Sequence, residues 1–120
     1  MIKNKHAIIL GSGSDIGREI AERLWADGWR GLGYSHVDRL GVVPWDLVVC
    51  CYGAMEPIEL FWDAGPTEWE RAFEANLFQP LRQVRALYPH RRPGASVCFF
   101  SGAGTGGPAP TYSAYAASKV

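Results

Sequence analysis

A chain of 120 residues, 48% hydrophobic and 20% charged, has the composition of a single globular domain with a modest core. Lysine plus arginine equals aspartate plus glutamate, so the formal net charge is zero, and the basic excess typical of nucleic-acid or membrane-surface binders is missing. Cys50, Cys51 and Cys98 lie in apolar runs with no Cys-x-x-Cys pair and no histidine nearby, which argues against a disulfide scaffold or a metal site and reads as small core residues.

The segment from Met1 to His6 is basic, but the apolar run behind it is too short for a signal peptide or a membrane span. A cytoplasmic chain without a membrane partner is expected. Ala7-Ile8-Ile9-Leu10 ends at a glycine and reads as a buried strand. From Asp15 the period changes: Ile16, Ile20 and Leu24 share one face of an amphipathic helix, which Gly28 stops. Gly31 to Tyr34 is a weak second strand, and Asp46 to Cys51 another buried one. Thr67 and Glu70 have capping-box spacing and open a helix. Its apolar stripe is Trp69, Phe73, Leu77, Leu81 and Val84, and Pro89 ends it. Arg91 and Arg92 then read as a favourable charge at a helix C-terminus rather than a phosphate site. Pro93-Gly94 is a turn, Ala95 to Phe100 a strand, and Ser113 to Lys119 the start of a further helix.

Apolar strands alternating with helices predict a parallel sheet covered on both faces, a doubly wound α/β architecture. The junction of the first strand and first helix is Gly11-Ser12-Gly13-Ser14-Asp15-Ile16-Gly17. Glycines there let the backbone turn sharply and approach a pyrophosphate, while the helix start offers N–H groups and a positive dipole end. Asp15 also suits an N-cap, with its carboxylate turned toward the backbone.

Tyr115 and Lys119, four residues apart, place a phenol and an ammonium on one helix face. An ordinary phenol, with a pKa of about 10, is a poor acid or base at neutral pH, and a neighbouring cation lowers that value. Ser101 closes the strand that ends at Phe100, at the strand end where ligands bind in open α/β sheets. Asn76 stands four residues before Pro80, whose missing N–H removes the usual partner of the Asn76 carbonyl.

Taken together, the glycine loop, Ser101 and Tyr115-Ala116-Ala117-Ser118-Lys119 resemble the short-chain dehydrogenase/reductase family over almost the whole chain. Gly11 and Gly17 match the first and last glycines of that family's Gly-x-x-x-Gly-x-Gly pattern, with Asp15 in place of the middle one. The resemblance implies a Rossmann-like fold, NAD or NADP as cofactor, and hydride transfer between an alcohol and a carbonyl in a small-molecule substrate. It makes Tyr115 the general acid/base, Lys119 its pKa-lowering partner and ribose contact, Ser101 the substrate-orienting hydroxyl and Asn76 part of a proton relay. Homo-oligomers are the rule in complete members of that family.

The sequence departs from the family in several places. Cys51-Tyr52-Gly53-Ala54 stands where many members carry Asn-Asn-Ala-Gly; Gly53 and Ala54 still allow backbone to approach the adenine ribose. Ser101 lies one residue further from Tyr115 than is usual, with Gly102 at the usual offset. Between Gly28 and Asp46 the chain is too short for the family's full set of elements, so at least one strand and one helix are expected to be missing. His36, Asp38 and Arg39 are the polar candidates for ribose selection there, with Asp38 leaning toward NAD. Residues 1–120 are thus expected to form one abridged domain, short of the family's usual length at its C-terminal end. The alternative is a non-catalytic nucleotide-binding fragment, or a scaffold that uses Phe61, Trp62 and Trp69 as an interaction surface.

Overall fold

The structure is a computed structural model and describes residues 5–34, 43–53, 58–100 and 117–119. In chain order the elements are β1 (His6–Leu10), α1 (Asp15–Ala26), β2 (Arg30–Tyr34), β3 (Trp45–Cys50), α2 (Pro66–Phe73), a π-helical turn (Glu74–Phe78), α3 (Gln79–Leu87), a 3-10 turn (Tyr88–His90) and β4 (Arg91–Phe99). Two compact units result: Met1–Tyr52 with Arg82–Phe99, and Gly53–Leu81 with Phe100–Val120.

The first unit is built on a four-stranded sheet, ordered β2-β1-β3-β4 and parallel at every pairing. This is the doubly wound parallel sheet that the alternation of apolar runs predicts. Successive side chains of a strand point to opposite faces, so each central strand feeds two cores. On one face Ile8, Leu10, Trp45, Val48 and Cys50 pack with Leu87, with Val84 and Ala95 alongside. On the other, Ala7, Ile9 and Val49 pack with Ala21 of α1, flanked by Ile20 and Leu24. Each fully buried Ile, Leu or Val contributes about 1.5–3 kcal/mol, which makes β1 and β3 the backbone of the unit.

Several local details differ from the sequence reading. Ile16 belongs to no core: it is 60% exposed, because α1 meets the sheet only from Ile20 onward. Gly28 does stop α1. Its φ is +95°, and Trp29 and Gly28 donate their N–H groups to the carbonyls of Leu24 and Trp25, the paired bonds of a Schellman ending. Cys50 is buried and Cys51 half-buried, but Cys98 is exposed, because β4 forms an edge of the described sheet. Pro93 and Gly94 lie inside β4, where the register against β3 slips and Gly94 adopts φ +79°; the expected turn is a bulge.

Arg91 and Arg92 are likewise in β4 rather than at a helix end. Arg91 lies over the Tyr88 ring, while Arg92 donates to the buried Asp46 carboxylate at 2.8 Å. Asp46 also accepts the His6 N–H at 2.9 Å and has Lys5 Nζ at 3.7 Å. Burial alone would raise the Asp46 pKa, but the His6 and Arg92 hydrogen bonds and the charges of Arg92 and Lys5 outweigh it and bring the carboxyl below its ordinary value. This clamp ties β1, β3 and β4 together at the ends of the strands opposite the glycine loop.

In the second unit, α2 starts at Pro66 with Gly65 as N-cap, two residues before the expected Thr67, and no side chain caps it. Proline at N1 has φ already set for a helix and no N–H to leave unsatisfied, so it fixes the start without the capping box. The apolar stripe is also displaced. Trp69, Phe73, Leu77 and Val84 are only half-buried and Leu81 is exposed, whereas Ala72, Asn76, Pro80, Gln83 and Leu87 are buried. A π-helical turn precedes Pro80, with the Gln79 N–H bonded to the Glu74 carbonyl, five residues back. Such a turn inserts a residue into the helix and rotates its faces, which is why an ideal helical period assigns the wrong side.

Candidate nucleotide loop and reactive cluster

β1 and β3 are neighbours in the sheet, while α1 leads from β1 to β2 on the other side. The crevice beyond their C-terminal ends is therefore the topological switch point, where open α/β sheets bind ligands. Gly11 follows β1 there with φ +83°, a backbone conformation that favours glycine. A Cβ on Gly11 would stand 3.0 Å from the Cys51 carbonyl carbon and 3.2 Å from Tyr52 Cδ1, so this crossing of backbones needs its small residue.

Ser14, not Asp15, caps α1. Its Oγ accepts the Gly17 N–H at 3.0 Å and donates to the Gly11 carbonyl at 2.8 Å, while its own N–H donates to the same carbonyl at 3.1 Å. Asp15 is the first helical residue and is exposed. Gly17 packs so closely that a Cβ would run into the Gly11 carbonyl oxygen. Ser12 turns its hydroxyl onto Gly33 of β2, where a Cβ would come within 2.6 Å of Ser12 Oγ. Arg18 reaches back to the Gly13 carbonyl at 3.4 Å. Ser14 thus takes the N–H groups of Gly17 and Arg18, whereas those of Asp15 and Ile16 precede the first intrahelical bond. A dinucleotide's pyrophosphate fits this arrangement of a tight glycine turn and a helix start whose first N–H groups lie ahead of the intrahelical bonds.

Tyr52 follows β3 and meets the glycine loop. Its ring packs against Gly11 and the core face that holds Leu10 and Cys50. Burial pushes its phenol above the usual value, and the Gly11 backbone and Gln83 side chain pull the other way.

A second candidate cluster belongs to the second unit. Asn76 lies in the π-helical turn and is 8% exposed. Its Nδ2 donates to Ser118 Oγ at 2.8 Å, and Ser118 is 5% exposed. Residues 117–119 are helical. Asn76 Oδ1 and Lys119 Nζ come to 3.4 Å and 3.7 Å from the point where a Gly53 side chain would begin. The structure thus groups Asn76, Ser118, Lys119 and Gly53. Ser118 was missed because a serine between two motif positions carries no signal of its own until its partner is placed. Asp38, Ala54, Ser101 and Tyr115, and also His36 and Arg39, lie outside the described residues. Among the described residues, no group of three or more His, Cys, Asp and Glu side chains could hold a metal ion, and no helix is long and apolar enough to cross a membrane.

No family model matches the chain. An uncharacterized oxidoreductase of Schizosaccharomyces pombe is 36% identical over 77 residues, an alignment covering 62% of this chain and 31% of that protein. The crystal structure of a small-chain dehydrogenase superposes with a TM-score of 0.85 at 18% identity, covering 96% of this chain and 69% of the other. A short-chain dehydrogenase/reductase from Saccharomyces cerevisiae gives 0.82 at 16% identity, covering 97% and 60%. A small-chain dehydrogenase in complex with NADPH gives 0.85 at 17% identity, covering 96% and 58%. The chain spans about a third of the fission-yeast protein and roughly three fifths to two thirds of these structures. It has the Rossmann-like fold of the short-chain dehydrogenases and reductases, and it resembles that family.

Proposed function

We propose that this chain is the dinucleotide-binding part of an NAD(P)-dependent oxidoreductase that interconverts a small-molecule alcohol and a carbonyl. The observation that carries the reading is the glycine loop. Gly17 cannot accept even a methyl group without striking the Gly11 carbonyl, and Ser14 ties the two ends of the loop together. That closure sets the N-terminus of α1 at the switch point of the sheet, where a pyrophosphate is favoured.

In this reading the backbone of Gly11, Ser12, Gly13, Ser14, Asp15, Ile16 and Gly17 holds the pyrophosphate. Gly53 and Ala54 admit the adenosine ribose, and Asp38 accepts from its hydroxyls, which leans the choice toward NAD. The bound nicotinamide supplies or accepts the hydride. Tyr115 donates a proton to the substrate oxygen in reduction and accepts it in oxidation. Lys119 favours the Tyr115 phenolate and contacts the nicotinamide ribose. Ser101 orients the substrate oxygen, and Asn76 supports proton relay to Lys119. A homo-oligomer at work in the cytoplasm completes the reading.

The test is single-turnover reduction of simple ketones and aldehydes by NADH or NADPH, followed by loss of nicotinamide absorbance. The reading expects slow turnover in the longest available form of the protein, lost in Tyr115→Phe. Equal rates with and without the phenol would overturn the catalytic assignment.

A further inference from the structure

Asn76 and Ser118 form a buried pair whose purpose the proposed reaction does not itself supply. A carboxamide has two nearly isosteric ends, an acceptor oxygen and a donor nitrogen, and only its partners decide which way it faces. Here the Asn76 Nδ2 donates to Ser118 Oγ at 2.8 Å, with both residues buried. That bond spends the donor end on Ser118 and leaves Oδ1 on the other side, 3.4 Å from the position of a Gly53 Cβ. Lys119 Nζ approaches the same position at 3.7 Å. The acceptor end of the amide and the lysine ammonium therefore converge on the space that Gly53 leaves by having no side chain.

We propose that Ser118 is a positioning residue: it fixes the orientation of the Asn76 carboxamide, so that the oxygen and not the NH2 group is presented to the Lys119 ammonium. The catalytic meaning rests on the reading of Lys119 as the partner of Tyr115, but the orientation itself does not depend on it. A carbonyl dipole pointing its oxygen at an ammonium favours the charged form, and one pointing its NH2 group at it disfavours that form. Ser118 thus acts on Lys119 through Asn76, from the adjacent position in sequence. Its hydroxyl is needed as an acceptor, and an alanine there would remove the 2.8 Å bond that holds the NH2 end of the amide.

The chain has only three lysines, Lys3, Lys5 and Lys119, so each is separable after reductive methylation with 13C-formaldehyde, which keeps the charge. The Lys119 methyl signal is titrated by NMR in the 120-residue chain, with no cofactor and no turnover. Lys5, at 3.7 Å from Asp46, reports on the fold. Ser118→Ala should lower the Lys119 midpoint by about half a unit or more while the Lys5 signal keeps its position, and Ser118→Thr, which retains the hydroxyl, should restore it. An unchanged Lys119 midpoint in a folded Ser118→Ala chain, or a Thr variant that behaves like Ala, overturns the proposal. If Ser118→Ala unfolds the chain, Ser118→Cys, of similar size but with a weak acceptor, is judged by the same criterion. Failure of nucleotide binding would leave this result standing, and an unmoved Lys119 would leave the nucleotide reading standing, so the two are separable.

Discussion

Replacing Gly17 by Ala tests the glycine loop where its packing is tightest. Two effects oppose each other. Alanine is a better helix former than glycine, and in an exposed helix interior the exchange gains about 1 kcal/mol. Gly17 is buried, however, and the new methyl would meet the Gly11 carbonyl oxygen, with the Gly11 carbon and Ser14 Oγ each 3.0 Å away. The nearest neighbours are two backbone atoms and a short side chain held by two hydrogen bonds, so none yields cheaply. Overpacking of this kind costs about 1–3 kcal/mol, and displacing the Ser14 cap costs about 1 kcal/mol more. The sum of about 2–4 kcal/mol exceeds the propensity gain, for a net loss of about 1–3 kcal/mol. With a urea slope of about 2 kcal/mol/M, typical of a small domain, the midpoint falls by roughly 0.5–1.5 M. The assay is equilibrium urea unfolding followed by far-UV circular dichroism, run beside a nucleotide titration. A midpoint equal to or above that of the wild type would refute the packing argument. Nucleotide affinity unchanged within about twofold, or about 0.4 kcal/mol, would refute the claim that this loop holds the ligand.

Other perturbations probe neighbouring parts of the account. Ser14→Ala removes the cap without adding bulk, so stability falls by about 1 kcal/mol in the same urea assay, with nucleotide binding weakened rather than lost. Gly11→Ala forces a side chain into φ +83° and should cost about 1–2 kcal/mol before any contact with Tyr52 is counted. Trp45→Phe leaves the buried Leu87 carbonyl without its 2.7 Å indole donor, and thermal unfolding should report a loss of about 1–3 kcal/mol. Asp46→Asn weakens the clamp on β1, β3 and β4. The loss is about 2–3 kcal/mol at pH 7, below the full value of a buried pair because Arg92 and Lys5 are partly exposed. The pH dependence follows from the lowered Asp46 pKa. Its contribution is complete above the unfolded carboxyl value of about 3.9 and is lost as pH falls through the lower folded value. Wild type should therefore lose more stability on acidification below about pH 4 than Asp46→Asn does, as urea midpoints at several pH values would show.

The sheet was legible because buried parallel strands announce themselves as continuous apolar runs. Ala7 to Leu10 and Asp46 to Cys51 fall within a residue of β1 and β3. The glycine loop was legible for the same reason: sequence places it between a clear strand and a clear helix. What sequence missed is where short-range rules give two answers. Ser14 and Asp15 are both good N-caps, and only the closure onto Gly11 and Gly17 selects Ser14. Thr67 with Glu70 makes a capping box, yet Pro66 begins the helix earlier. The face of α2 and α3 was misread because the π-helical turn before Pro80 breaks the period, and because the buried side includes the polar Asn76 and Gln83, which a search for apolar stripes passes over. Cys98 looks like a core residue in sequence, but burial of an edge strand depends on what covers it, which no local pattern encodes.

The most direct test of the central claim is a titration of the purified chain with NADH and, separately, NADPH, read by nicotinamide fluorescence, with cooperative urea unfolding measured on the same sample. The account predicts saturable binding of at least one of the two nucleotides, weakened by more than about twofold in a Gly17→Ala variant that still unfolds cooperatively. Cooperative unfolding with no saturable response to either nucleotide would contradict it.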